Sequence, residues 1–181
     1  MYIQTLELEN FKCFDHMTLD LHPELTVIVG NNGSGKTSIL EAVAIAISTM
    51  FVKMDGISGR SIDKSQASLK AYSIGSTKDV QPQYPVTVKA TAQTKTKLFT
   101  WSRSLNKPSG NTTILNAKQM IDLGIRFQED LRKGDTNLIL PVIAYYGTGR
   151  LWDYHREKQS DVFETNNRIN GYIDCVDGTA N

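Results

Sequence analysis

Two cysteines, Cys13 and Cys175, are all that the chain contains. They form no metal-ligand spacing and read as ordinary reduced thiols of a cytosolic protein. Long apolar runs are missing as well. The longest, "AVAIAI", falls far short of the roughly 20 residues that a bilayer-crossing helix needs. The opening "MYIQTLELENF" has an acidic, alternating character where a secretory signal would have a basic head and an apolar core. These absences point away from membrane association and secretion. Internal repeats and low-complexity tracts are also lacking. With 181 residues, 40% of them hydrophobic and 22% charged, the chain suits one globular domain with a real core.

Net charge is small, +1 overall, but it is unevenly spread. Between residues 53 and 103 stand Lys53, Arg60, Lys64, Lys70, Lys78, Lys89, Lys95, Lys97 and Arg103 against Asp55, Asp63 and Asp79. Interleaved with them are Tyr72, Tyr84, Phe99 and Trp101. Clustered Lys and Arg with aromatics suit a nucleic-acid backbone, and the same pattern suits a solvated hairpin face. Both readings stand at this point.

The densest chemical signal is "VIVGNNGSGKTSILEAV", which fits G-x-x-x-x-G-K-[ST] with Gly30, Gly35, Lys36 and Thr37 in register. The motif carries a mechanism only where a strand feeds a helix through the loop. Residues 25–29, "LTVIV", are apolar and β-branched, which predicts a strand buried on both faces. From Lys36 onward no Gly or Pro interrupts the text, and Ile39, Leu40, Val43, Ile47 and Met50 recur at helical spacing. Gly30, Gly33 and Gly35 allow backbone angles closed to other residues, so successive N–H groups can turn inward around phosphate oxygens. The expected binding set is Gly30, Asn31, Asn32, Gly33, Ser34, Gly35, Lys36, Thr37 and Ser38. In it Lys36 reaches the β- and γ-phosphates of a bound nucleotide, ATP or GTP, and the Thr37 hydroxyl holds Mg²⁺.

Four stretches organise the chain: 1–52, 53–84, 85–136 and 137–181. The first opens with two alternating runs, "TLELENF" and "HMTLDLH", which predict an antiparallel pair joined by the short link "FKCFD". Residues 53–84 are polar, turn-rich and basic, and predict a long excursion. "PVTVKATAQ" and "TKLFTWSRSL" predict a hairpin. Ala117, Met120, Ile121, Gly124, Phe127 and Leu131 then lie on one helical stripe, with Gly134 placed to cap it. "NLILPVIAYYGTGRLW" predicts a second buried strand, with Pro141 near its start. Polar text follows.

This order of elements, together with "LENFKCF" (Asn10, Phe11, Phe14) and the glycine-rich loop, resembles the first lobe of ABC/AAA-type P-loop ATPases of the RecF, SMC and OLD kind. More narrowly, "YYGTGRLW" resembles bacterial ATPases of Septu anti-phage systems, some associated with retrons. The resemblance implies an α/β fold: a P-loop NTPase lobe with a buried, mainly parallel sheet and an antiparallel β subdomain. It implies ATP and Mg²⁺ as cofactors, a homodimer or higher oligomer, DNA or RNA as a partner, and an effector nuclease subunit in the defence systems. It gives Arg60 a role at nucleotide or DNA. It also places Tyr146, Thr148 or Arg150 where such proteins carry a glutamine that touches Mg²⁺ and the attacking water. Arg150 joins Lys36 as a candidate catalytic residue on that ground.

Two motifs of such enzymes are not written here. No apolar run after the loop ends in Asp-Glu, and "YIDCVDG", with Asp174 and Asp177, is the nearest substitute. No "LSGGE"-like signature occurs either. Three readings follow. One is an ATPase lobe, completed elsewhere, that couples ATP to nucleic-acid transactions in DNA repair or phage defence. Another is a non-hydrolytic module that restrains an effector nuclease. The third and weaker one is a small-molecule kinase, which would usually start with the parallel strand and carry an arginine-rich lid.

Overall fold

The computed structural model describes residues 1–75, 77–94, 97–147, 168–173 and 175–177. The chain divides into two compact units, Met1–Ile47 with Ser61–Gln119, and Ser48–Arg60 with Met120–Asn181.

The first unit is organised by a four-stranded antiparallel sheet. Strands β1 (Tyr2–Phe11) and β2 (Phe14–Asp20) form the expected hairpin, with Leu6 opposite Leu19 and Phe11 opposite Phe14. A second hairpin, β3 (Leu69–Ile74) and β4 (Thr77–Pro82), rises from the stretch read as a polar excursion and forms a separate two-stranded sheet. Strands β5 (Val86–Gln93) and β6 (Leu98–Leu105) pair as a third hairpin, and β5 lies against β1, giving the order β2-β1-β5-β6.

Period-two patterning gives this sheet one dry face and one wet face. Leu6, Leu8, Val86, Val88, Ala90, Ala92, Trp101 and Leu105 are buried. Helix α1 (Lys36–Ser48) supplies cover from Ala42, Ala44, Ile45 and Ala46, whose small side chains allow burial around much of its girth. The Trp101 indole donates to the Ala46 carbonyl at 3.0 Å, so its one polar atom is satisfied inside the core. The wet face is knitted by cross-strand polar pairs: Thr5 with Asp20 (3.1 Å), Glu7 with Lys89 (2.9 Å), Thr91 with Thr100 (2.9 Å) and Thr87 with Ser104 (3.0 Å).

In the second unit, helix α2 (Lys118–Arg132) begins two residues before the boundary and presents Met120, Ile121 and Gly124 inward, as its stripe predicts. A Cβ at Gly124 would lie 2.0 Å from the Met50 carbonyl oxygen, so only glycine permits this approach. Gly134 ends the helix at φ +82°, with Gly134 N–H bonded to Leu131 O and Asp135 N–H to Asp130 O, the paired bonds of a Schellman cap. Phe51 packs on Tyr172 with ring centroids 5.1 Å apart.

Two sequence expectations are corrected. Residues 25–29 form no strand, and Val27 and Val29 are 70% and 84% exposed. Residues 137–147 form none either, with Val142 98% exposed. Both sheets among the described residues are antiparallel, so the mainly parallel sheet is not found. A strand buried on both faces needs neighbours for its N–H and C=O groups, and apolarity in the sequence records only an affinity for such a place. Leu40 is likewise exposed, although Ile39 and Met50 of the same stripe are buried.

Candidate nucleotide site

The glycine-rich loop closes directly onto α1, as the motif requires. Gly33 and Gly35 adopt φ of +82° and +92°, a left-handed backbone that side chains resist. The first helical N–H to be claimed by the chain is that of Ile39, which donates to Gly35 O at 3.0 Å. The N–H groups of Lys36, Thr37 and Ser38 therefore remain at the helix start for a ligand, where the helix dipole favours negative charge. Lys36 sends its ammonium back along the loop to the carbonyls of Gly30 (2.7 Å) and Asn31 (2.8 Å). That contact ties the two ends of the loop together and holds a positive charge over it. The Ser34 N–H closes a turn on Asn31 O at 3.2 Å. Asn31, Asn32, Gly33 and Thr37 are exposed, with their polar groups open to an incoming phosphate.

These features fit a nucleotide triphosphate with its magnesium. Charge-assisted bonds from Lys36 and the backbone nest would hold the phosphates, and the Thr37 hydroxyl would supply an oxygen ligand to the metal. Among the described residues no three His, Cys, Asp or Glu side chains gather as a metal cage.

Arg60 is engaged inside the second unit: its guanidinium donates to Val176 O at 3.2 Å and lies 5.2 Å from the centre of the Tyr145 ring. Its backbone N–H donates to Ser48 Oγ at 2.9 Å. Tyr145 is in turn fixed by its N–H on Cys175 O at 2.8 Å. Tyr146 is exposed. Thr148, Arg150 and Asp174 lie outside the described residues, and so does Lys95 of the basic segment.

Within the first unit, three members of the basic segment are engaged by the fold. Arg103 is only 3% exposed and donates through Nε to Thr113 O at 3.2 Å, and burial lowers its pKa. Lys89 pairs with Glu7, and Lys70 with Asp15 at 3.3 Å. Of the positive charges counted in the sequence, these do not join a continuous basic surface. Alternation could have placed Trp101 and Arg103 together on the dry face, because both fall in step with Leu105.

Sequence reasoning missed a second layer behind the loop. A Cβ at Gly35 would lie 2.5 Å from Phe14 Cζ and 2.7 Å from Cys13 Sγ. Lys12 forms an ion pair with Glu41 of α1. Nothing local in the sequence links residue 12 to residue 41. The only signal was that "LENFKCF" and the loop occur in one resembling family.

Comparison with known proteins identifies a family and partial relatives. The AAA domain family AAA_23 matches residues 5–181. DNA replication and repair protein RecF of Staphylococcus epidermidis is 44% identical over 43 residues, which is 24% of this chain and 12% of the relative. RecF of a Picosynechococcus species is 44% identical over 48 residues, 26% of this chain and 12% of the relative. The matched segments thus span about an eighth of the length of these curated relatives. A chain solved in work on the structural biochemistry of ATP-driven dimerization and DNA-stimulated activation of SMC ATPases superposes with a TM-score of 0.45. It is 18% identical and covers 68% of this chain and 77% of that one.

Proposed function

The chain belongs to the AAA_23 family of AAA domains, and from that premise we propose that it is the Mg-ATP-binding lobe of a RecF/SMC-type P-loop ATPase. In the whole protein, ATP binding and hydrolysis serve nucleic-acid transactions in DNA repair or anti-phage defence. The observation that carries the reading is the loop: left-handed Gly33 and Gly35, the Lys36 ammonium held by the Gly30 and Asn31 carbonyls, and free N–H groups at the start of α1. The RecF relatives favour the repair setting. The defence setting, with its effector nuclease partner, rests on "YYGTGRLW". The uncovered apolar run at 25–29, leading straight into the loop, suits a lobe that works against further protein.

Bound Mg-ATP would supply the reactive phosphoanhydride and the metal charge that stabilises its cleavage. The chain's own contribution is to bind and orient. Lys36 and the backbone N–H groups would grip the phosphates, and the Thr37 hydroxyl would supply an oxygen ligand to the metal. The sequence after the loop carries neither an apolar run ending in Asp-Glu nor an "LSGGE"-like signature, and on that ground this lobe alone is expected to bind without useful turnover.

Calorimetric titration of the chain with Mg-ATP tests the reading. Lys36→Ala should weaken affinity by about 100-fold, the loss of a charge-assisted phosphate contact of roughly 3 kcal/mol, while leaving the circular dichroism spectrum unchanged. Thr37→Ala should give a smaller defect that depends on Mg²⁺ concentration. Unaltered affinity in Lys36→Ala would end the nucleotide-site assignment. Phosphate release by the wild-type chain, lost in Lys36→Ala, would end the binding-without-turnover part.

A further inference from the structure

Among the described residues, a positive φ without glycine occurs at the tip of the β1–β2 hairpin. Asn10 and Lys12 have φ of +50° and +52°, on either side of fully buried Phe11. The two-residue turn Lys12–Cys13 calls for such an angle at Lys12, where Asn or Gly is usual, whereas Asn10 takes it within β1. Lysine does so here against its own preference, and strain of this kind persists only where surrounding contacts over-determine it.

Those contacts are numerous and specific. Asn10 donates through Nδ2 to Pro85 O at 3.0 Å, and its carbonyl accepts from Ser68 N–H at 2.8 Å. The Lys12 N–H donates to Gln66 O at 2.7 Å, while the Lys12 ammonium pairs with Glu41. Glu41 is 17% exposed and also accepts from Gln66 Nε2 at 3.2 Å. Gln66 is itself buried, and its Oε1 accepts from Asp63 N–H at 3.0 Å. The tip is therefore bolted to the 63–68 segment and, through Glu41, to the second turn of α1. What this holds in place is the wall behind the phosphate loop. Phe14 and Cys13 fill the space in which a side chain at Gly35 would stand.

We propose that the hairpin tip is a positioning element for the phosphate loop. Phe14 bears on Gly35, and the Lys12–Glu41–Gln66 cluster fixes the tip against α1, so that the left-handed Gly35 and the Lys36 that follows it are preorganised before nucleotide arrives. None of these side chains needs to touch the ligand. Their effect is on the fraction of time the loop spends in its binding shape, which enters directly into the apparent affinity. The proposal rests on the nucleotide reading of the loop.

The test is calorimetry with Mg-ATP and Mg-ADP on the whole chain, reading affinity and stoichiometry separately, beside thermal melts. Phe14→Ala should weaken affinity at least tenfold, and Phe14→Leu should restore it to within threefold. Lys12→Met and Glu41→Gln should each weaken affinity about fivefold. The charge exchange Lys12→Glu with Glu41→Lys should recover most of that loss. In all of these the stoichiometry stays that of the wild type. A merely structural role would lower the melting temperature and the stoichiometry, as part of the sample unfolds, and leave the affinity of the folded part alone. Leu105→Ala, in the core of the same unit, is the control for that pattern. If Phe14→Ala does not fold, the Lys12 and Glu41 variants decide. Wild-type binding abolished by Lys36→Ala, with wild-type affinity in the tip variants, would overturn the positioning role and leave the nucleotide site standing. No binding by the wild type would overturn both.

Discussion

Val86, Val88, Ala90 and Ala92 of β5 are shut away from water, whereas Val27, Val29, Ile139 and Val142, of the same chemistry, stand in it. Hydrophobicity does not separate the two sets. Neighbours do. β5 has β1 on one side and β6 on the other, with register unbroken from Val86 opposite Leu105 to Gln93 opposite Leu98. On its neighbour β6, Trp101 reaches the Ala46 carbonyl of α1. The runs at 25–29 and 137–147 belong to no strand, one in each unit. Burying one aliphatic side chain contributes about 1.5–3 kcal/mol, and a residue left in water contributes none of it. The stability of the molecule is therefore concentrated in the antiparallel sheet and its helix, while the open runs are apolar surface held in reserve.

Trp101→Ala should break the covered side most severely. It empties a large buried site and strips the Ala46 carbonyl of its indole donor, for a loss of about 3–5 kcal/mol. Urea unfolding followed by circular dichroism reads it. A loss under about 1 kcal/mol would mean that this face is not the core.

A smaller effect sharpens the comparison in the second unit, where Tyr172 is the covered counterpart of exposed Tyr146. Its pKa is pushed up to about 12, first by burial and then by Cys175, with Arg168 opposing. Its hydroxyl donates to Pro141 O at 2.7 Å. The folded state thus holds this proton more tightly than the unfolded chain does. The stabilisation is complete below the ordinary tyrosine pKa near 10 and is lost as pH rises from there toward 12. Urea midpoints measured across that interval should fall more steeply in the wild type than in Tyr172→Phe. Parallel curves would show that Tyr172 does not titrate differently in the two states.

The smallest effect belongs to the open runs. Val27→Thr and Val142→Thr should each change stability by no more than about 0.5 kcal/mol, as substitutions on a solvated surface do. A loss of about 2 kcal/mol at either would mean that the run is covered in solution, and the contrast drawn above would fail for it.

The legible part of this fold was local. Period-two text gave β1, β2, β5 and β6, and a 3.6-residue stripe with a glycine stop gave α2, because each element's own residues carry its pattern. Gly33, Gly35, Lys36 and Thr37 were legible because the loop's chemistry lies within eight consecutive residues. What could not be read was long-range. The continuous apolarity of "LTVIV" signals a wish for cover, and whether a neighbouring strand exists is decided elsewhere. Lys12 and Glu41, or Arg60 and Val176, meet only after folding. A charge count along residues 53–103 could not know that Arg103 would enter the core or that Glu7 would come to lie beside Lys89.

The sheet order has a consequence for how the site comes into being. The pairs β1–β2 and β5–β6 close over short turns and can zip within microseconds, but the β1–β5 seam brings Leu6 to Ala90 across most of the first unit. The phosphate loop lies within the chain spanned by that seam. Closing so long a loop costs entropy before any contact returns it, which makes the seam the slow event of assembly. Phe14 arrives at Gly35 on one early hairpin, whereas the wall of strands over α1 waits for the other. The sheet is in this sense a late product of folding, finished when two independent hairpins meet along the β1–β5 seam.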